Sequence, residues 1–405
     1  MNIHLKHIYL LSFCIISIQS IAPSSNDLPS TFFKSTGYIK NIFSLPSSAS
    51  LPTQPWSGSY WPNSNGGIGW RYSAQYQIYS QPYDHYSKYE SSYFPSYVAN
   101  NYSPSEKYDL LLGDYSYTLT RVVRSRIGTS ATWEGKCHGW APASFLEPRP
   151  TKPVTLYASD GYTPITFYPD DIKALITQFY SESISNYRTD TMGSNCVSGK
   201  NSNGCKDTNP SSFYLAITNL IGIQKRAMLI DSSLNYQIWN YPVYKYSTKY
   251  YNVNTNYIGS IKQSLVSVDV ALKSKVNNAK VAAKQSAKGT KYLLGVKMTA
   301  YYSNEIVPSR TTQGSGMVSS NKVYNFILDL DGNYNIIGGS WVSSDHPDFI
   351  WKINESGIFR DGYDNVFSFF GTSNELRRMT QIARMLSSKG QVIYAVVKYL
   401  VNKSK

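Results

Sequence analysis

The spacing of apolar residues along the chain changes several times, and each change predicts an element. In "FYPDDIKALITQFYSES", from Phe167, apolar residues recur at helical spacing behind Asp170, an N-cap candidate, and predict a helix. "KYDLLLGDYSYTLTRVVRSRIG", from Lys107, has a strand-like middle among basic residues. "SFYLAITNLIGIQKRAMLID", from Ser212, reads as a strand, a turn around Gly222 and a second strand ending at Asp231. "SSLNYQIWNYPVYKYSTKYY" continues as an aromatic strand, and "KYLLGVKMTAYYS" reads as another. "VYNFILDL" and "YNIIGGSWV" are joined through Asp331-Gly332, a strong hairpin signal. "APASFL" predicts a short helix ended by Pro148 and Pro150, with Cys137 at or just before its N-terminus. There is no internal repeat.

The ends of the chain depart from this pattern. "IYLLSFCIISI" is an apolar run too short to span a bilayer, and "QS" follows it. Residues 1–20 therefore read as a secretory signal peptide cleaved after Ser20. Residues 21–54 read as a flexible Ser/Pro-rich leader, 55–360 as one catalytic domain and 361–405 as a C-terminal helical extension. Residues 55–105 are dominated by Tyr, Ser, Trp and Pro, which suits a propiece, a covering arm or a glycan-binding surface. Asn101, Asn354 and Asn402 begin N-x-S sequons.

Charge and cysteines narrow the function. The formal charge is +14, much of it from lysines in "SIKQSLVSVDVALKSKVNNAKVAAKQSAKGTK". With a secretory start and no RNA- or DNA-binding motif, that charge suits acidic cell-wall or matrix polymers rather than nucleic acid. No later segment is apolar enough to span a membrane, so the expected product is secreted and extracellular.

Of the four cysteines, Cys14 leaves with the signal peptide. Cys196 and Cys205 bracket a Gly/Asn/Ser loop and are expected to form a disulfide. Cys137, in "TWEGKCHGW", is left over: a reactive thiol, half of an intermolecular bridge, or a buried small hydrophobe. A helix start would favour the thiolate and predicts an acidified thiol. A nucleophilic cysteine needs a base and a group to orient it. Only five histidines exist, and His4, His7, His85 and His138 lie in the signal, the Tyr-rich arm or beside the nucleophile. Counting leaves His346, with Asp345 and Asp348 close by and Asp231 ending a strand mid-domain.

Six blocks carry a resemblance: "WSGSYWP", "TWEGKCHGWAPAS", "FYPDDIKAL", "NLIGIQKRAMLID", "IWNYPVYKY" and "GGSWVSSDHPDFIW". Over roughly residues 55–352 the chain resembles the oomycete-type transglutaminase elicitor family. The resemblance implies an α+β fold with a papain-like core, an antiparallel sheet and the nucleophile on an N-terminal helix. It implies a protein-glutamine γ-glutamyltransferase, calcium-dependent or cation-assisted, with Gln and Lys side chains of proteins as substrates. The nucleophile would be Cys137, forming a thioester. Trp133, Trp140 and Trp239 would form apolar walls that exclude water. The family's base histidine falls where this chain has Tyr214, a position Asp231 would orient, and its acidic residue falls at Ser340. The catalytic set is thus Cys137, His346 and Asp231, with Trp133, Trp140, Trp239 and Tyr214 around the substrate. Two other readings stay open. One is a catalytically silent secreted binding protein, the other a cysteine peptidase or amidase.

Overall fold

The structure is a computed structural model and describes residues 27–34, 37–72, 101–184, 189–195, 207–232, 237–353 and 373–405. Its frame is an antiparallel sheet whose main path runs β11-β10-β9-β6-β5-β12-β4. These strands are β4 (Thr189–Gly193), β5 (Met228–Asp231), β6 (Asn240–Tyr251), β9 (Tyr292–Ser303), β10 (Ser319–Leu330), β11 (Ile336–Trp341) and β12 (Phe349–Ile353). Short strands β1 (Ser48–Ser50) and β7 (Ile258–Gly259) add to β6, and β8 (Leu265–Ser267) adds to β9. A separate hairpin pairs β2 (Val154–Tyr157) with β3 (Pro164–Phe167). The long central ladders follow from β-branched and aromatic runs with period-two burial. In β10, burial alternates at first, with Val323 exposed and Tyr324 and Phe326 buried, and Phe326 to Leu330 are then buried on both faces.

Two cores meet along β5 and β12. Leu229 and Trp351 pack with the helices, whereas their chain neighbours Ile230 and Ile350 pack into the other core with Phe213, Val243 and Phe326. The helical core is built from α2 (Pro104–Leu111), α3 (Thr118–Arg124), α4 (Cys137–Leu146), α5 (Pro169–Ile184), α8 (Ser373–Ser387) and α9 (Tyr394–Lys403). The second core is covered by α1 (Pro29–Phe33) and α6 (Pro210–Ile217). A third, small cluster lies under α7 (Asn277–Gln285), where Ala279, Ala282 and Ala283 face the sheet and the lysines face out.

Several expectations hold. The helix from Pro169 forms, the Asp331-Gly332 hairpin joins β10 to β11, and Cys137 is the first residue of α4. Other readings give way. Residues read as a flexible leader bury Phe32, Phe33, Ile42 and Leu45, and β1 pairs Ser48 with Ser247. The segment from Lys107 is helical: Ser103 and Glu106 form a capping box and Pro104 stands at N1, a start signal that lies upstream of the apolar run. "SFYLAITN" is also helical, as α6 and a π-helical turn over Thr218–Gln224. An unbroken apolar run does not separate strand from helix, and Asn209 with Pro210 supplies the cap that decides it. Asp170 is not an N-cap: its carboxylate accepts from the Ser315 N–H and from the Lys173 side chain, while Asp171 bonds the Tyr168 N–H. The C-terminal helices are part of the helical core, with Val397 and Leu400 buried in it.

Candidate active site

Cys137 opens α4 at a crowded corner. Gly135 lets the chain pass within 2.5 Å, at a would-be Cβ, of the Tyr60 carbonyl, and the Lys136 N–H bonds that same oxygen. Lys136 Nζ reaches Glu182 at 2.8 Å, which ties the start of α4 to the end of α5. Gly139 brings the two helices closer still, since a Cβ there would lie 2.3 Å from the Thr177 carbonyl. Trp140 is fully buried behind this corner and donates its Nε1–H to the Trp56 carbonyl.

The sulfur is held by the chain that enters β6. The Cys137 thiol donates to the Ile238 carbonyl and Asn240 Nδ2 donates to Sγ, each at 3.5 Å. Asn240 is itself fixed, because its Oδ1 accepts from Trp351 Nε1 at 2.8 Å. Asp231 faces Asn240 across the β5–β6 ladder and accepts from the Trp239 N–H at 3.0 Å. The Trp239 ring packs edge-on against Tyr60. Beside the sulfur opens a pocket of about 380 Å³ lined by Trp133, His138, Thr191, Phe349 and Trp351 among others. A larger groove of about 780 Å³ lies at the other end of α4, but neither cysteine nor histidine lines it.

Burial governs the electrostatics. It pushes the Cys137 thiol up to about 11 against the Asn240 hydrogen bonds, with further raising from Glu305 and Asp231. The acidified thiol expected from the helix start is therefore not found in this state. His138 is pushed down to about 4 by burial and by Lys136, so its imidazole is neutral at pH 7. Glu305, just beyond β9, is pushed up to about 8 by burial. Its charge acts on Cys137, Tyr60 and Tyr241.

The other sequence-nominated residues scatter. His346 stacks flat on Trp341, 4.8 Å between ring centres, with Nδ1 3.4 Å from the Pro347 carbonyl. Its neighbouring charges are Asp345 and Lys322, burial pushes it down to about 4, and it does not line the Cys137 pocket. Tyr214 is fully buried in the second core with its OH 2.9 Å from Tyr250 OH, so it touches neither Cys137 nor Asp231. Ser340 is buried on β11. Trp133 lines the pocket, Trp239 stands at its side and Trp140 is core. Cys196 and Cys205 lie outside the described residues. Asn240, Trp351 and Glu305 are residues that sequence reasoning missed, and His138, set aside there because it adjoins the nucleophile, lines the Cys137 pocket. Asn240 lay in view inside "IWNYPVYKY", but nothing in its spacing from Cys137 signals contact. Among the described residues no group of three or more His, Cys, Asp or Glu is arranged to hold a metal ion.

A family model described as "Transglutaminase elicitor" matches residues 28–357. The fold is similar to that of the GP42 transglutaminase from Phytophthora sojae, seen in a crystal structure, with TM-score 0.56 and 20% identity over 90% of this chain and 99% of that one. Among curated proteins there is no match. No helix among the described residues is long and apolar enough to cross a membrane.

Proposed function

The chain belongs to the transglutaminase elicitor family, and we propose that it is a secreted protein-glutamine γ-glutamyltransferase with Cys137 as nucleophile. The observation that carries this reading is the seat of the thiol. Cys137 opens a helix, is 6% exposed, and accepts from an Asn240 amide that Trp351 holds in place. In the proposed reaction Sγ attacks the carboxamide carbon of a substrate glutamine. The thiol proton passes to an imidazole, then to the departing nitrogen, which leaves as ammonia. The Cys137 N–H, which at the first helical position has no intrahelical acceptor, and Asn240 Nδ2 would hold the oxyanion. A lysine amine then attacks the thioester, and the isopeptide bond forms as the thiol is released. Trp133, Trp239 and Tyr60 would wall the site against water.

A thiol held near 11 is almost wholly protonated at neutral pH, so a base must take its proton during attack. His138 and His346 are both neutral there. The geometry favours His138, which lines the same pocket as Cys137. The raised thiol also favours a second reading, a silent protein that keeps the fold for binding. The separating assay is incorporation of a labelled primary amine into a glutamine-rich protein, alongside release of ammonia. Activity in the native protein that vanishes in Cys137→Ser and His138→Ala but persists in His346→Ala is the expected result. Loss only at His346 would move the base there. Retention in Cys137→Ser, or no activity in the native protein, would sink the enzymatic reading.

A further inference from the structure

Glu305 has a side-chain oxygen, Oε1, that the reaction outlined above leaves unused. It follows β9 at the end of the sheet where β6 begins, since Tyr302 pairs with Val243. The next residue anchors it: the Ile306 N–H donates to the Gly58 carbonyl, in the segment that carries Tyr60. That segment touches the nucleophile helix directly, through the bond from the Lys136 N–H to the Tyr60 carbonyl. These bonds bring the end of β9, the Gly58–Tyr60 segment and the start of α4 side by side, and the charge of Glu305 acts on Cys137, Tyr60 and Tyr241. Glu305 Oε1 is shut off from solvent and has no hydrogen-bond partner among the described residues. No cation contributes to its ionisation, which burial alone perturbs. Two other buried carboxylates are paired with lysines, Asp171 with Lys107 and Asp170 with Lys173, and a third, Asp109, accepts from the Thr120 N–H and hydroxyl and the Leu119 N–H. A buried carboxyl oxygen without a partner costs stability, and this one belongs to a residue three positions beyond Tyr302 whose charge reaches Cys137, Tyr60 and Tyr241. Tyr241 and Tyr302 pack at 4.9 Å between ring centres, and such aromatic faces suit an organic cation.

We propose that Glu305 is the receptor for the primary ammonium of the acyl acceptor, a lysine side chain, and takes the proton that turns it into a nucleophile. The inference rests on the acyl-transfer reading above. The ammonium first pairs with the Glu305 carboxylate. One proton moves from nitrogen to the carboxylate, and the neutral amine attacks the thioester carbon on Cys137. The carbon–sulfur bond breaks as the carbon–nitrogen bond forms, and a second amine proton goes to the departing sulfur. The products are an isopeptide, a thiol and a neutral carboxyl, which loses its proton when the next ammonium enters.

The empty site holds Glu305 protonated up to about pH 8, so an arriving ammonium must displace a proton below that value. Affinity for the ammonium should fall roughly tenfold for each pH unit below about 8. Cys137, Tyr60 and Tyr241 all titrate above that range and stay neutral through it.

The test uses the full chain and two probes of equal shape, n-butylammonium and n-butanol, followed by calorimetry and thermal melting. Saturable binding of butylammonium but not butanol, with the stated pH dependence and loss in Glu305→Gln, is expected. Equal binding of both probes by the native protein, or butylammonium binding unchanged in Glu305→Gln, overturns the proposal. This binding readout needs no catalysis, so a protein that binds the amine without transferring acyl groups refutes the enzymatic reading and leaves the ammonium site standing. In an active protein, Glu305→Gln should raise KM for the amine at least tenfold, and an unchanged KM overturns the proposal. The native protein's choice between the probes decides the matter even if the variant does not fold.

Discussion

Gly139→Ala tests whether the nucleophile's position depends on the contact between α4 and α5. The added Cβ would lie 2.3 Å from the Thr177 carbonyl oxygen and 2.6 Å from Ser181 Cβ. Ordinary contact begins near 3.4 Å, so the helices must separate by about 1.1 Å, the difference between 3.4 and 2.3 Å. The oxygen is backbone and cannot swing aside. Overpacking of this kind costs about 1–3 kcal/mol, and a backbone clash belongs at the upper end. For a chain of this length about 3 kcal/mol corresponds to a fall in Tm of roughly 3–6 °C. Cys137 lies two residues away on the displaced helix, and its contacts to Ile238 and Asn240 are already long at 3.5 Å. A shift of ~1 Å breaks them and should cost about a hundredfold in acyl transfer. Thermal melting and amine incorporation measure the two effects. Gly316→Ala is the control, because nothing stands within 4 Å of its added Cβ. A Gly139→Ala protein that melts with the native one would refute the packing argument. One that is destabilised yet fully active would refute the link from packing to catalysis.

Two further outcomes follow from the buried polar groups. Tyr214→Phe leaves the Tyr250 hydroxyl without its 2.9 Å partner, so it should lose about 1 kcal/mol in denaturant titration with transfer unchanged; Tyr214→His should bring no gain in activity, and a gain would mean that 214 is a base site after all. His346 stands at about 4 in the fold against an ordinary 6.5, so the unfolded chain binds more protons between those values, and stability is full above pH 6.5 and lost as pH falls towards 4. The loss is on the order of 3 kcal/mol. It should be absent from His346→Gln and so appear in the difference between the native protein and that variant, which cancels the opposite trend from Asp27 and Glu305, both raised to about 8. Equal pH slopes for the two proteins would refute the buried imidazole.

The sequence alone determined the local elements whose signals are local. The helix from Pro169 announced itself by periodicity, the hairpin by Asp331-Gly332, and the start of α4 by the small residues after Cys137. It failed where an apolar run was continuous, as in α6, because burial on all sides erases the period that separates helix from strand. It also misread residues 27–54, whose Ser and Pro content hid the four apolar side chains that anchor them. The family was legible because six blocks in order identify a lineage without any knowledge of contacts. The site was legible only at Cys137. Asn240 is 103 residues away and Glu305 farther still, and only the crossing of α4 over the β6 entry and the end of β9 brings them to one sulfur. Tertiary structure also reversed the thiol's expected acidity. A helix start stabilises a charge by fractions of a kcal/mol to about 2, whereas burial beside two carboxylates opposes it more strongly. Which of these prevails depends on what packs around the sulfur.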